Sequence, residues 1–475
     1  MKRAGCWLAA VAVWASGAVA AQDPYPSTYE PLAAAPTLIR NATVLDGAGR
    51  RFEGADVLMR DGKIVAVGPG LAADGATVVD AQGRWVTPGL IDVHSHLGVY
   101  ASPGVEAHQD GNEMTDPVTS GVWAEHGVWP QDPGFQTALA GGVTTLQVLP
   151  GSANLIGGRG VTLRNRPATT MQDMKFPGAP HGLKIACGEN PKRVYGGMGR
   201  APSTRMGNVA GYRQAFADAQ DYRRQNEKYQ RELADYEAGQ SGQSGRSGSR
   251  RKGDDDSRPP VPPKRDLRLE TLVAAMAGEI QVHVHCYRAD EMAIMLDLAR
   301  EFGFKVAAFH HGVEAYKIAD RLAAEGVCGA LWADWWGFKL EAYDAIWENL
   351  AFVDAPDKGC AIVHSDSEEG IQRLNQEAAK AMARGRRAGL DIPPERAIRW
   401  VTANPARALG VADKVGTLEP GRIADVVIWN RDPFSVYALA DRVYIEGAMV
   451  FDRATPASTP ASDFLLGQPA AGGAR

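Results

Sequence analysis

The middle of this chain repeats one pattern. A short apolar run ends on a histidine or another ionisable residue, and a polar loop or an amphipathic stretch follows. LIDVHSH carries His94 and His96, and GLKIACGE carries Lys184 with Glu189 just beyond. IQVHVHC ends on His283 and His285, KVAAFHHG on His310 and His311, and CAIVHSD on His364 and Asp366. RADEMAIMLDLAREFG, VEAYKIADRLAAEG and EGIQRLNQEAAKAMARGRRAG space their apolar residues by threes and fours, as amphipathic helices do. This alternation, sustained over about 320 residues, predicts a parallel α/β architecture. Periodicity alone does not separate a closed barrel from an open sheet. No GxGxxG or GxxxxGK[ST] opens a helix, so a nucleotide-binding sheet has no support.

Strand side chains alternate faces, so His94 and His96 point the same way. Two imidazoles one step apart can chelate one metal ion. A single such pair is equally compatible with core packing. The recurrence of the pattern at the ends of several runs is not, because in a parallel barrel the C-terminal strand ends converge on one face. Neutral histidine and carboxylate are the expected ligands of zinc and similar ions.

The two ends of the chain have a different texture. Residues 37–85 and 416–452 read as short β-branched runs broken by Asp-Gly, Gln-Gly and Glu-Gly turns. They are expected to pair into one small sheet domain. The first 20 residues combine Lys2, Arg3, an apolar run and Ala18-Val19-Ala20, the pattern of a secretory signal. The expectation is therefore an exported protein, periplasmic or secreted, with no integral membrane span after cleavage near Ala20. A net charge of −5 argues against a nucleic-acid surface. Cys187, Cys286, Cys328 and Cys360 show no CxxC spacing. Export would permit a disulfide, but buried thiols are the expectation. Residues 211–237 read as one long charged helix, and 238–264 as a low-complexity loop. Together they define an insertion at about 205–265, between two strands, with a solvated charged face.

TPGLIDVHSH, the strand-end histidines, HSD and the closing NPARALG…GTLEPGRIADVVIW resemble the amidohydrolase superfamily, in its imidazolonepropionase-like and prolidase-like forms. The resemblance spans roughly residues 37–455. It implies a distorted TIM (β/α)8 barrel over 87–411 and a composite β-sandwich over 36–86 and 412–455. It further implies one or two divalent ions per chain, zinc foremost, held by His94, His96, Lys184, His285, His311 and Asp366. Lys184 would bridge two ions as a carboxylated lysine, with Glu189 as the alternative bridging ligand. His283 would lie a layer deeper, and His310 would face away from the metal. Asp366 would be the catalytic base and acid for metal-activated water. The implied reaction is hydrolysis of a C–N bond in a small or short peptide-like amide, cyclic amides included. A deaminase or lactone hydrolase using the same site, and a catalytically idle metal- or solute-binding protein, are the alternatives. A homo-oligomer is compatible with all of them.

Softer expectations concern the surroundings. The Gly-rich segment 150–160 reads as a loop, either near a ligand or simply turning the chain. Arg193 and Tyr195 are candidate substrate contacts, and Trp332, Trp335 and Trp336 candidate pocket walls. His108, His126 and His181 read as loop residues, and Asn404 as a helix cap.

Overall fold

A computed structural model describes residues 23–242 and 258–455. The signal sequence expected at 1–20 lies outside the described residues, as does the centre of the low-complexity stretch. Five strands open the chain: β1 (Thr37–Leu45), β2 (Arg51–Arg60), β3 (Lys63–Gly68), β4 (Thr77–Asp80) and β5 (Trp85–Pro88). Eight follow: β6 (Leu90–Ser95), β7 (Val143–Val148), β8 (Ile156–Arg164), β9 (Gly182–Ala186), β10 (Gln281–His285), β11 (Val306–His310), β12 (Cys328–Leu331) and β13 (Ala361–Val363). The last three are β14 (Val426–Trp429), β15 (Ala440–Ile445) and β16 (Ala448–Asp452).

β6 to β13 pair in the order of the sequence and form a nearly closed eight-stranded barrel. Most are buried along their whole length, which is why they read as continuous apolar runs and not as alternating ones. The strands from the two chain ends form one sheet, ordered β16-β15-β14-β5-β1-β2-β3, with β4 paired to β1. It has its own apolar core, including Ile39, Val57, Met59, Val86, Val426 and Ile428.

One strand departs from the parallel expectation. β8 runs antiparallel to both β7 and β9. Only a short segment joins β7 to β8, and a parallel neighbour needs a crossover of roughly a dozen residues or more. The stretch 150–160 is therefore a turn and then a strand, not a loop. Gly158 in it has φ 120°, and a Cβ there would lie 2.2 Å from the Val122 carbonyl oxygen. Only glycine fits this crossing.

The cysteine expectation is also corrected. Cys187 is bonded to Cys286, and Cys328 to Cys360. Each pair joins neighbouring strands, β9 to β10 and β12 to β13. The spacing in sequence is long, so only register brings the thiols together. The long helix spans Arg205–Gly242. It is not wholly a solvated insertion, because Tyr212, Phe216 and Ala219 on its first half are buried in the main core.

Barrel and sheet are locked by one buried ion pair. Arg164 at the end of β8 donates twice to Asp425, at 2.6 Å to each carboxylate oxygen. Asp425 precedes β14 and also accepts from Thr144 Oγ1 and the Glu446 amide. Removing one partner of such a pair leaves an uncompensated buried charge. Asp425→Ala should therefore lower unfolding stability by about 3–5 kcal/mol, read from urea denaturation. A loss below about 1 kcal/mol would show that the pair does not anchor the sheet.

Candidate metal centre

β6 supplies His94 and leads into His96, and β13 leads into His364 and Asp366. The two strands meet through Asp92. Its Oδ1 lies 3.0 Å from the His94 amide and 3.3 Å from the Ser365 amide, and its Oδ2 accepts from the Ser365 hydroxyl. The Asp366 amide donates to the His94 carbonyl at 3.0 Å. Burial pushes the Asp92 carboxyl up to about 7, against the pull of those donors.

Around Asp366 the ring nitrogens converge. His96 Nε2 lies 3.0 Å and His94 Nε2 3.3 Å from Oδ1, and His311 Nε2 lies 3.5 Å from Oδ2. Lys184 Nζ lies 3.0 Å from His94 Nε2 and 3.1 Å from the Pro150 carbonyl. His285 joins through its ring, 4.8 Å from that of His311. So His94, His96, Lys184, His285, His311 and Asp366 are brought together at one end of the barrel. Two of them take strained backbone: His311 has φ 67° and Asp366 φ 51°. Left-handed backbone at non-glycine residues costs of order 1–3 kcal/mol and clusters at functional sites.

The hydrogen bonds set the tautomers. His96 Nδ1 faces the Leu149 carbonyl at 2.9 Å, which can only accept, so Nε2 keeps its lone pair. Lys184 donates to His94 Nε2, so His94 Nδ1 carries the proton and donates to His310 Nδ1 at 3.0 Å. His310 Nε2 in turn donates to His283 Nδ1 at 2.8 Å. His310 therefore faces away from the cluster, yet it orients a member of it. Burial holds His94, His285, His310 and His311 well below the usual histidine range, helped next by Lys184 at His94, by Lys339 at His285 and by neighbouring imidazoles at His310 and His311. Burial likewise brings His283 and His364 down to about 3. Burial brings Lys184 down to about 8.

This donor set fits a divalent ion. Neutral imidazoles and a carboxylate are what such ions bind. Ligand atoms of His94, His96 and Asp366, and of His94, His311 and His364, lie within 4.8 Å of one another. His285 Nδ1, His311 Nδ1 and both nitrogens of His364 are buried without a partner. His364 is the residue that the sequence did not single out as a ligand, although its i, i+2 spacing to Asp366 was the available signal.

Other expected residues lie elsewhere. Glu189 is not in the cluster; it opens the helix Glu189–Gly197, and its carboxylate lies 3.8 Å from Lys339. Tyr195 is corrected from substrate contact to anchor: it is fully buried, with its hydroxyl 2.7 Å from the Asp116 carbonyl and from Asn154 Oδ1. Arg193 is exposed on the same helix. Trp332 and Trp335 line the cavity above the cluster, whereas Trp336 packs beside Tyr287 and Trp332. His126 and His181 adjoin Glu125 far from Asp366 in sequence, and Asn404 Nδ2 donates to the Ala361 carbonyl instead of capping its helix.

The model of the amidohydrolase family matches residues 360–454. An amidohydrolase crystal structure from Thermotoga maritima MSB8 is similar at 35% identity with a TM-score of 0.76, covering 88% of this chain and 100% of that one. Amidohydrolase tasK of Hapsidospora irregularis is 34% identical over 90% of this chain, which spans 44% of that protein's length. Molinate hydrolase shares the fold at 17% identity and a TM-score of 0.50, with 90% of this chain and 97% of that one covered. The chain belongs to the amidohydrolase family, and its relatives indicate a hydrolase acting on C–N bonds.

His310→Ala removes the acceptor that orients His94 and should weaken zinc affinity by about 10–100-fold, measured by competition with a chromogenic chelator. In metal-free protein, the unfolded chain binds protons on these six histidines below about pH 6.5, while the fold excludes them until much lower pH. Unfolded chain then holds more protons, so stability should fall as pH drops below about 6.5. A flat urea midpoint between about pH 6.5 and 4 would contradict the burial of neutral imidazoles.

Proposed function

We propose that this chain is an exported, metal-dependent hydrolase of amide bonds in small or short peptide-like molecules. The observation that carries the reading is the convergence of the Nε2 atoms of His94, His96 and His311 on Asp366, with Lys184 against His94. His94, His96, His285, His311 and Asp366 would hold divalent metal, zinc foremost, with His364 adjacent. Lys184, whose amine is neutral in good part near pH 8, would bridge two ions as its carbamate. Metal bound there lowers the pKa of water and polarises a carbonyl.

The chain's own groups do the rest. Asp366 takes the proton from the attacking water and passes it to the leaving nitrogen, so that the amine departs neutral. His94 and His96 hold Asp366 in place; burial works against its charge, but His96 together with the nearby Lys184 and His364 outweighs it and lowers the carboxyl pKa. Two disulfides support export, since such bonds persist in oxidising compartments.

Asp366→Asn keeps the side-chain shape but cannot accept the proton. Turnover of a hydrolysed amide should fall by about a thousandfold or more, while elemental analysis still finds metal. Activity near that of the parent protein would remove Asp366 from its role. Native mass spectrometry of the metal-loaded protein should show the added mass of one CO2, lost in Lys184→Arg.

A further inference from the structure

The cavity above Asp366, about 360 Å³, has an apolar wall of Tyr287, Trp332, Trp335 and Phe338. Its polar lining includes Ser152, Asn190 and Lys339, and Lys339 is the one cation among the described lining residues. The Lys339 ammonium is 2.7 Å from Asn190 Oδ1 and sits over the Tyr287 ring, 4.8 Å from its centre. Its side chain is only 15% exposed. An ammonium has three donors. Asn190 takes one, and the nearest carboxylate, Glu189, is 3.8 Å away and outside hydrogen-bond range. Asn190 Nδ2 donates to Ser152 Oγ at 2.8 Å and lies 3.4 Å from His285 Nε2. One asparagine side chain therefore spans from Lys339 to the proposed metal ligands.

We propose that Lys339 receives a carboxylate of the substrate while the aromatic wall takes its apolar group. The substrate class is then an amide of an apolar or aromatic amino acid with its carboxylate free, such as an N-acyl amino acid or a short peptide. The reasons are charge and reach. A single, largely desolvated ammonium with spare donors matches one singly charged carboxylate, because charge-assisted hydrogen bonds are the strong ones. The short span to His285 places that carboxylate a few bonds from the scissile carbonyl, as in an α-amino acid. This assignment of the substrate rests on the hydrolase reading; the binding of a carboxylate at Lys339 does not.

Isothermal titration calorimetry on the chelator-stripped, otherwise intact protein tests it, with 3-phenylpropionate and its neutral amide as probes. The acid should bind about tenfold tighter than the amide. Lys339→Met should abolish the difference, with Lys339→Gln as a second, polar replacement, and Glu189→Gln should widen it by removing a competing carboxylate. Equal binding of acid and amide by the parent protein would overturn the proposal. So would a preference that survives both Lys339 replacements, or one that disappears only in Lys184→Ala. Failure of the hydrolase reading shows separately, as metal-loaded protein with no Asp366-dependent turnover.

Discussion

The clamp that Asp92 makes between the first and last barrel strands is the interaction on which the site depends. β6 and β13 are the ends of the sheet order and share no ladder of their own. Asp92 accepts from the backbone of both and from the Ser365 hydroxyl. The same contact that nearly closes the barrel thus brings His94 and His96 beside Asp366. A buried carboxylate is tolerated here because three donors meet it; without them, burial alone would cost several kcal/mol. Geometry at the site is therefore a by-product of how the barrel ends are joined.

Packing so many imidazoles together works against stability. Several of their nitrogens find no partner in the protein, and buried unsatisfied polar atoms cost about 1–3 kcal/mol each. Two of the surrounding residues also hold left-handed backbone. The protein offsets this with features that lie just outside the cluster. His310 and His283 continue the hydrogen bonding inward from His94. Cys187–Cys286 joins the strands of Lys184 and His285 immediately beyond those residues, and Cys328–Cys360 joins the strands at the opposite end of β12 and β13. The cluster is held in shape by its supports and not by contacts of its own.

Where side-chain direction follows from strand alternation, the sequence was sufficient. The shared face of His94 and His96 follows from period two, and the arrival of Lys184, His285, His311 and Asp366 at one end follows from the parallel pairing of β9 to β13. What failed to show depends on partners distant in the chain. The antiparallel β8 followed from the length of a connection whose glycines read as loop. The disulfides join residues that no spacing rule relates; strand register alone sets them side by side. Tyr195 follows closely on the strand of Lys184 in sequence, but its hydroxyl is spent on main chain and Asn154. His364 was visible as a strand-end histidine, yet its two unpartnered nitrogens are a property of its neighbours.

The long helix shows how a segment that reads as an appendage comes to govern a pocket. Its first turn carries Arg205, which lies 2.5 Å from Glu341 and 3.0 Å from Glu291. Glu341 in turn accepts from the Glu189 amide at 3.0 Å, and Asn208 donates to the Gly188 carbonyl at 2.9 Å. The start of the helix that carries Asn190 is thereby fixed, since its exposed amides are met by a carboxylate. Glu341 also lies two residues from Lys339, so the same ion pair anchors the loop that brings the ammonium to the cavity. Asn190 and Lys339 come from the β9 and β12 loops, and the root of the insertion is what joins those two loops. These contacts belong to the first turns of the helix and stand apart from its distal charged part, whose ion pairs are within the helix itself.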